Sequence, residues 1–386
     1  MNKPHKPRSR ILSMDGGGPL SIISLMLLKR MLAKEHQLLR YVDVFAGNSA
    51  GAINALRLAS QDLSYARAQG VIDQLIEFWA EHFIELTANN LVENLGALSG
   101  FGPLGQTQAL ESYLRTYFFQ DTPLADIKKV AITTFQLDSA NRSINIPGGP
   151  VDSLSRSWMP RVLHNFTYTH PECVRAPQVE HPVAAYSPRT TVLDAAMASS
   201  APPIMFPTFK GHLDGAMFAN NPALCALSQV IHFKLNNLEA ADSTDVLKNS
   251  TILSLGTGRN PMYVETDQDF TSWGYQQWVL DLKHPLLVIQ ALYEANMLAI
   301  DFQCINLLGH ERYVRLNPPL QQPVEHNTDY SVTVELAISS ANAVSDAELD
   351  ACLARMKVSG WFEGPAAPVS GLAVDTAVKV ATKHPL

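Results

Sequence analysis

Five residues, Gly47-Asn48-Ser49-Ala50-Gly51, constrain this chain more than any other segment. They follow a short apolar run, Tyr41-Val42-Asp43-Val44-Phe45-Ala46, and precede a helix-forming stretch, Ala52-Ile53-Asn54-Ala55-Leu56-Arg57-Leu58-Ala59. A strand that runs into Gly-x-Ser-x-Gly and then a helix predicts a nucleophile elbow, a turn so tight that its serine hydroxyl stands exposed at the tip. Gly47 and Gly51 permit the turn and the close packing of helix on strand. The chemistry to expect is that of a serine hydrolase or acyltransferase.

The flanking pattern sets the fold class. Arg10-Ile11-Leu12-Ser13-Met14 reads as a buried strand that ends in Asp15-Gly16-Gly17-Gly18, and Pro19 suits the first position of a helix reaching to about His36. With the elbow this makes a strand-helix-strand-helix opening. It predicts an α/β fold, a mostly parallel central sheet with helices on both faces. Further strands are expected at 130–137, 209–213, 251–255 and 312–316. Helices are expected at 64–86, 106–119, 192–200, 223–235 and 285–304 and within 331–359. Two stretches resist a regular reading. Residues 87–105 are broken by repeated glycines and suit a cover over the substrate side or a long surface loop. Residues 141–188 are rich in Pro, Gly, Ser and His, with weak periodicity. No internal repeat or linker divides the chain, so the expected organisation is a flexible basic N-terminus at 1–9, one catalytic domain at 10–360 and a C-terminal appendage at 361–386.

Composition limits the partners. With 46% hydrophobic and 17% charged residues, the 386-residue chain has ample material for a core. A formal net charge of −7 argues against a nucleic acid polymer as the main partner. The four cysteines, Cys173, Cys225, Cys304 and Cys352, are too far apart to suggest a disulfide framework or a zinc site. No metal-ligand spacing occurs and no cofactor is expected. The basic N-terminus lacks the apolar run of a signal peptide, and no stretch approaches the ~18 to 20 apolar residues of a membrane span. A cytoplasmic protein, peripheral to membranes at most, is the expectation.

A serine hydroxyl needs a base, and acyl transfer needs donors for the developing oxyanion. The backbone amides of Gly16, Gly17 and Gly18, between a strand and a helix N-terminus, are candidates for the donors. A P-loop is excluded because no Gly-Lys-Ser/Thr follows. The base is open on local pattern alone: His164, His170, His181, His212, His232, His284 and His310 follow Ser49, none in a telling context. Asp214, followed by Gly215-Ala216, is the best-placed carboxylate.

Four segments, taken together, resemble the patatin-like phospholipase family. They are Asp15-Gly16-Gly17-Gly18, Gly47-Asn48-Ser49-Ala50-Gly51, Ala198-Ser199-Ser200-Ala201-Pro202-Pro203, and Asp214-Gly215-Ala216 with Asn220-Asn221-Pro222. Leu253-Ser254-Leu255-Gly256-Thr257-Gly258 is also similar to that family. The resemblance spans residues 10 to about 318 and implies a three-layer patatin-like fold. It implies a Ser49–Asp214 dyad without a catalytic histidine, with Gly16, Gly17 and Gly18 as the oxyanion hole and no need for calcium. The implied reaction is hydrolysis of fatty acyl esters of phospholipids or lysophospholipids through an acyl-enzyme, with transient contact at a membrane surface. Phe206, Met217 and Phe218 are expected near the acyl chain. One departure stands out: where the family continues the glycine turn with a basic residue and another glycine, this chain has Pro19-Leu20-Ser21, and Leu20 would extend the apolar wall. Acyl transfer to another acceptor, a membrane-degrading effector activated by a cyclic nucleotide, and a catalytically weak lipid-binding protein are the alternatives. Oligomeric state is not legible.

Overall fold

The computed structural model describes residues 8–87, 107–138, 157–167, 183–264, 273–279, 287–324 and 328–366. Among the described residues eight strands form one sheet: β1 (Ser9–Met14), β2 (Val44–Gly47), β3 (Val130–Gln136), β4 (Met159–His164), β5 (Ala184–Tyr186), β6 (His212–Asp214), β7 (Ser250–Leu255) and β8 (Tyr313–Leu316). The spatial order is β5-β4-β3-β2-β1-β7-β8, with β6 attached to β3. The run β3-β2-β1-β7-β8 is parallel throughout, while β4 and β6 each pair with β3 antiparallel. The α/β class with a mostly parallel sheet therefore holds.

Alternate residues of the central strands feed two separate cores. Leu12 and Met14 of β1, Phe45 of β2 and Leu253 of β7 join the cluster under α1 (Ile22–Lys34), α2 (Ala50–Ala59) and α3 (Tyr65–Glu77). Ile11, Val44, Ala46 and Ile252 point the other way, against the helices Ala223–Asn236 and Leu287–Leu308. A strand buried on both faces must be apolar at successive positions, which is why β1, β2 and β7 read as continuous runs rather than alternating ones.

Several expectations shift on contact with the structure. The helix expected from Pro19 begins instead with a 3-10 turn, Gly18–Ser21, and α1 proper starts at Ile22. The strand expected at 209–213 is a turn and a short strand: Phe209 bridges to His212 across Lys210-Gly211, and β6 follows at His212–Asp214. The segment 141–188 contributes β4 and β5, neither of which its weak periodicity revealed. Trp361 is fully buried in the larger core, and Arg10 Nη1 donates to the carbonyls of Trp361 and Glu363. The expected appendage at 361–386 thus begins with residues tied to the body of the fold, and the remainder from 367 lies outside the described residues. So do residues 1–7 and almost all of the 87–105 excursion.

Pairing along one edge of β3 decides where Ser49 and Asp214 meet. Phe45, Ala46 and Gly47 of β2 lie opposite Val130, Ala131 and Ile132. Two residues beyond the end of β2 on the same edge, Thr134 lies opposite Asp214 of β6. The chain leaving β2 at Gly47 therefore turns beside the carboxylate that β6 delivers. The turns after β1, β2 and β7 open at the carboxyl ends of their strands, where open α/β sheets bind ligands.

Candidate active site

Ser49 has φ 52° and ψ −124°, a conformation that β-carbon sterics disfavour in any residue but glycine. Its surroundings hold it there. A β-carbon on Gly51 would stand 2.1 Å from the Met14 carbonyl oxygen, and one on Gly47 2.4 Å from the Gly51 carbonyl oxygen, so the elbow closes to backbone contact against β1. The Ser49 amide donates to Ser199 Oγ at 2.9 Å, and Ser199 Oγ donates onward to the Thr133 carbonyl at 2.7 Å. The Ala198-Ser199-Ser200 segment thereby ties the turn at Ser49 to β3. Ala50 opens α2 directly after the serine.

Asp214 ends β6 fully buried. Its Oδ1 accepts from Asn48 Nδ2 at 3.0 Å and from the Ala216 amide at 2.8 Å. The Ser49 side chain lies close enough to this carboxylate to lower its proton affinity. Burial pushes Asp214 up to about 6, and the nearby Ser49 with the Ala216 and Asn48 bonds pulls the other way without cancelling the shift. Asn48 in turn accepts from Thr133 Oγ1 at 2.8 Å. A β-carbon on Gly215 would lie 2.4 Å from Asn48 Oδ1, so the carboxylate's strand and the elbow are in contact.

The glycine turn faces the same space. Gly16 is spent on structure: its amide donates to the Asn220 carbonyl at 3.1 Å, and its carbonyl accepts from Thr257 Oγ1 at 2.8 Å. A β-carbon on Gly16 would come within 3.1 Å of Ser49 Cβ, so the turn abuts the elbow serine. Gly17 is exposed and Gly18 half-exposed. Among the described residues their amides donate to no protein group, and a β-carbon on Gly18 would meet nothing within 4 Å. Two free amides beside a serine, at the mouth of an α/β sheet, are what an oxyanion requires.

The profile of the patatin-like phospholipase family matches residues 12–227, more than half of the chain. The chain belongs to the patatin-like phospholipase family. Similar proteins include CotR of Bacillus subtilis, 26% identical over 354 residues (86% of this chain and 93% of that one). The 85/88 kDa calcium-independent phospholipase A2 of Mus musculus is 26% identical over 83% of this chain and 37% of its own length. The cGAMP-activated phospholipase of Vibrio cholerae is 26% identical over 65% of each chain. Membership in the patatin-like phospholipases makes lipid acyl hydrolysis its reaction class and a lipid its substrate class.

This patatin-like phospholipase backs its glycine turn with a buried ionic network. Asp15, fully buried at the start of the turn, pairs through Oδ2 with Arg315 Nη2 at 2.6 Å. Arg315 also donates to Ser254 Oγ at 2.9 Å and lies 3.2 Å from Asp301 Oδ1. Burial pushes Asp15 up to about 6 despite the Arg315 guanidinium, which acts to lower it. Asn221 Nδ2 donates to Asp301 Oδ1 at 2.9 Å, joining the segment after Asp214 to the same network. Asn296 completes it, accepting from the Asn220 amide at 3.1 Å and donating to the Ala216 carbonyl at 2.9 Å.

Among the described residues no histidine hydrogen-bonds to Ser49 or Asp214. His164 is buried and pushed down to about 3 by that burial, with its Nδ1 accepting from the Phe166 amide at 3.3 Å. His212, two residues before Asp214, meets the Lys210 carbonyl instead. His170, His181 and His284 lie outside the described residues. Among the described residues, no cluster of three or more His, Cys, Asp or Glu is placed to hold a metal ion. Phe206 packs edge-on against Phe83 at 6.2 Å, and Met217 is exposed beside the Gly215-Ala216 turn. Sequence reasoning missed Thr133, Asn296 and Arg315, and it quoted Ser199 and Asn220 without giving them a role. Each acts through a contact more than 70 residues distant in the chain, and no local pattern marks such a role.

Proposed function

We propose that this protein hydrolyses fatty acyl esters of phospholipids or lysophospholipids at a membrane surface, through a Ser49–Asp214 dyad and an acyl-enzyme. The observation that carries the reading is a buried carboxylate of raised proton affinity, Asp214, bound through Asn48 to the elbow that presents Ser49. As Ser49 Oγ attacks the ester carbonyl, Asp214 takes its proton, and the oxyanion forms against the amides of Gly17 and Gly18. Collapse of the tetrahedral intermediate breaks the ester C–O bond, and Asp214 returns the proton to the departing alcohol oxygen. Water then attacks the acyl-serine, giving its proton to Asp214, and Ser49 leaves with that proton. A carboxylate held near 6 is a stronger base than an ordinary aspartate and is still ionised at neutral pH. Gly16 supports the turn rather than the oxyanion.

The test is fatty-acid release from defined phosphatidylcholine and lysophosphatidylcholine by wild type, Ser49→Ala and Asp214→Asn. Both variants should fold and lose activity by about 10³-fold or more, and a fluorophosphonate should label Ser49 in the wild type. A His212→Ala or His310→Ala variant that folds but is inactive would overturn the dyad. The similarity to a cGAMP-activated phospholipase supports a second reading, in which a cyclic dinucleotide raises the activity. Adding a cyclic dinucleotide panel to the same assay tests it, and adding lysolipid acceptors detects acyl transfer.

A further inference from the structure

The Leu287–Leu308 helix has two faces of different use. Its inner face serves the site: Asn296 holds Ala216 and Asn220, and Asp301 holds Arg315. Tyr293 lies close enough to Asp214 for the carboxylate's charge, after burial, to raise the phenol's proton affinity. The outer face carries Leu292, Leu298 and Phe302, which are 60%, 49% and 68% exposed. Every other exposed residue of the helix is Ala, Leu, Gln or Asn, so none is charged. A helix on a water-facing surface ordinarily carries charged residues there, and an uncharged apolar face marks an interaction surface.

A short aromatic helix neighbours this one. The Tyr275–Val279 helix packs against the Leu287–Leu308 helix, with Tyr275 70% and Trp278 40% exposed. The Trp273 and Trp278 rings meet edge-on at 5.1 Å. Tryptophan and tyrosine beside exposed leucine and phenylalanine are the composition that settles at a lipid headgroup boundary. Met217, 44% exposed, sits in the short helix Ala216–Ala219 that packs on the same long helix, directly after Asp214-Gly215. The helix that carries the apolar face thus also borders the site on its other side.

We propose that the outer face of the Leu287–Leu308 helix, with Trp278 and Met217 at its margins, docks on the lipid bilayer and sets the site mouth against the membrane. The proposal rests on the lipid-hydrolase reading above and assigns the surface by which the enzyme reaches its substrate. Because the exposed residues of the helix are uncharged, attachment is by apolar burial, so it needs no anionic lipid and is insensitive to salt. A second copy of the chain is the competing occupant.

The experiment uses full-length Ser49→Ala protein, which consumes no lipid, with and without the added pair Leu298→Glu and Phe302→Glu. In flotation with pure phosphatidylcholine vesicles, Ser49→Ala should bind, with a blue shift of tryptophan emission, and 0.5 M salt should leave binding unchanged. The added charges should weaken binding by about tenfold or more. In the Ser49 background, the charge pair should lower vesicle hydrolysis by a similar factor while hydrolysis of a monomeric short-chain ester is retained. Retention shows the variant folded and separates failure of docking from failure of the hydrolase reading, which would abolish both activities in the wild type. Unchanged flotation of the charged variant overturns the proposal. So does a concentration-dependent dimer, by analytical ultracentrifugation, that the charges disperse while vesicle binding persists.

Discussion

Asn48 donates from Nδ2 to Oδ1 of Asp214 across 3.0 Å, and both residues are buried. The residue just before the proposed nucleophile therefore holds the proposed base, and Thr133 holds Asn48 in turn at 2.8 Å. Serine and carboxylate are positioned as one unit rather than as two independently placed side chains. Asn48→Ala should fold, lose about 10²-fold in kcat with little change in KM, and shift the acidic limb of the rate profile upward. The upward shift follows because the Asn48 bond favours the ionised carboxylate. Steady-state kinetics across pH 5 to 9 checks both effects, and a limb that stays in place would count against Asn48 as a positioning residue.

The proton affinity of Asp214, near 6, has opposite consequences for rate and stability. A general base works ionised, so kcat/KM should rise with pH through about 6 and level off above it. Asp15 and Asp214 are both raised from 3.8 to about 6 in the folded protein. Between about pH 4 and 6 the folded state then binds more protons than the unfolded chain, and stability falls as pH rises. Above 6 their contribution is constant. Asp214→Asn cannot ionise, so its melting temperature should exceed that of wild type at pH 8 and approach it near pH 4. Thermal denaturation over that range decides the matter; a melting temperature equal to wild type at pH 8 would contradict the raised affinity.

The parts of this architecture that are local were legible in the sequence. β1, β2, β3, β7 and β8 are apolar runs bounded by turn residues, and the elbow is written in five consecutive positions. β6 is three residues long and exists because Phe135 and Gln136 offer partners to Leu213 and His212, so pairing rather than propensity defines it. β4 and β5 lie in a segment whose composition favours turns. Gly16, Gly17 and Gly18 looked equivalent as donors, yet the Asn220 carbonyl, 204 residues away, takes the first amide. Arg315 is one polar position in an apolar strand, and nothing near it in sequence announces that it meets Asp15. The absence of a basic residue in Pro19-Leu20-Ser21 was visible; the cation that reaches Asp15 from β8 was not.

The glycines of the site should separate by role when each is replaced with alanine. Gly51→Ala puts a β-carbon 2.1 Å from the Met14 carbonyl, backbone that cannot retreat without moving β1. That variant should be insoluble or lose most of its stability. Gly18 has φ 54° and open space around a β-carbon, so Gly18→Ala should cost about 1 kcal/mol of strain. It should fold and still lose activity, since a methyl group would crowd the proposed oxyanion position. Urea denaturation with esterase assays on both variants tests the contrast. Full activity in Gly18→Ala would remove that amide from the oxyanion hole.

Asp15 and Arg315 should behave as a buried pair whose halves cannot be removed singly. The Arg315 side chain is 12% exposed and reaches two carboxylates, Asp15 at 2.6 Å and Asp301 at 3.2 Å. Losing the guanidinium strands both, a change that costs about 3–5 kcal/mol for a buried pair. Arg315→Met should therefore be severely destabilised, and Arg315→Lys only partly rescued, because an ammonium cannot fork between Asp15, Asp301 and Ser254. Asp15→Asn combined with Arg315→Met should recover much of the loss, since Asp15 no longer needs a cation. Activity should not return with stability. Asp15 leads into the glycine turn, and a neutral pair no longer fixes Gly17 and Gly18 against Ser49. A double-mutant cycle in urea, read alongside kcat at pH 8, separates these effects. An additive cycle would show that the pair is uncoupled, and a stable double variant with wild-type kcat would show that the turn needs no ionic support.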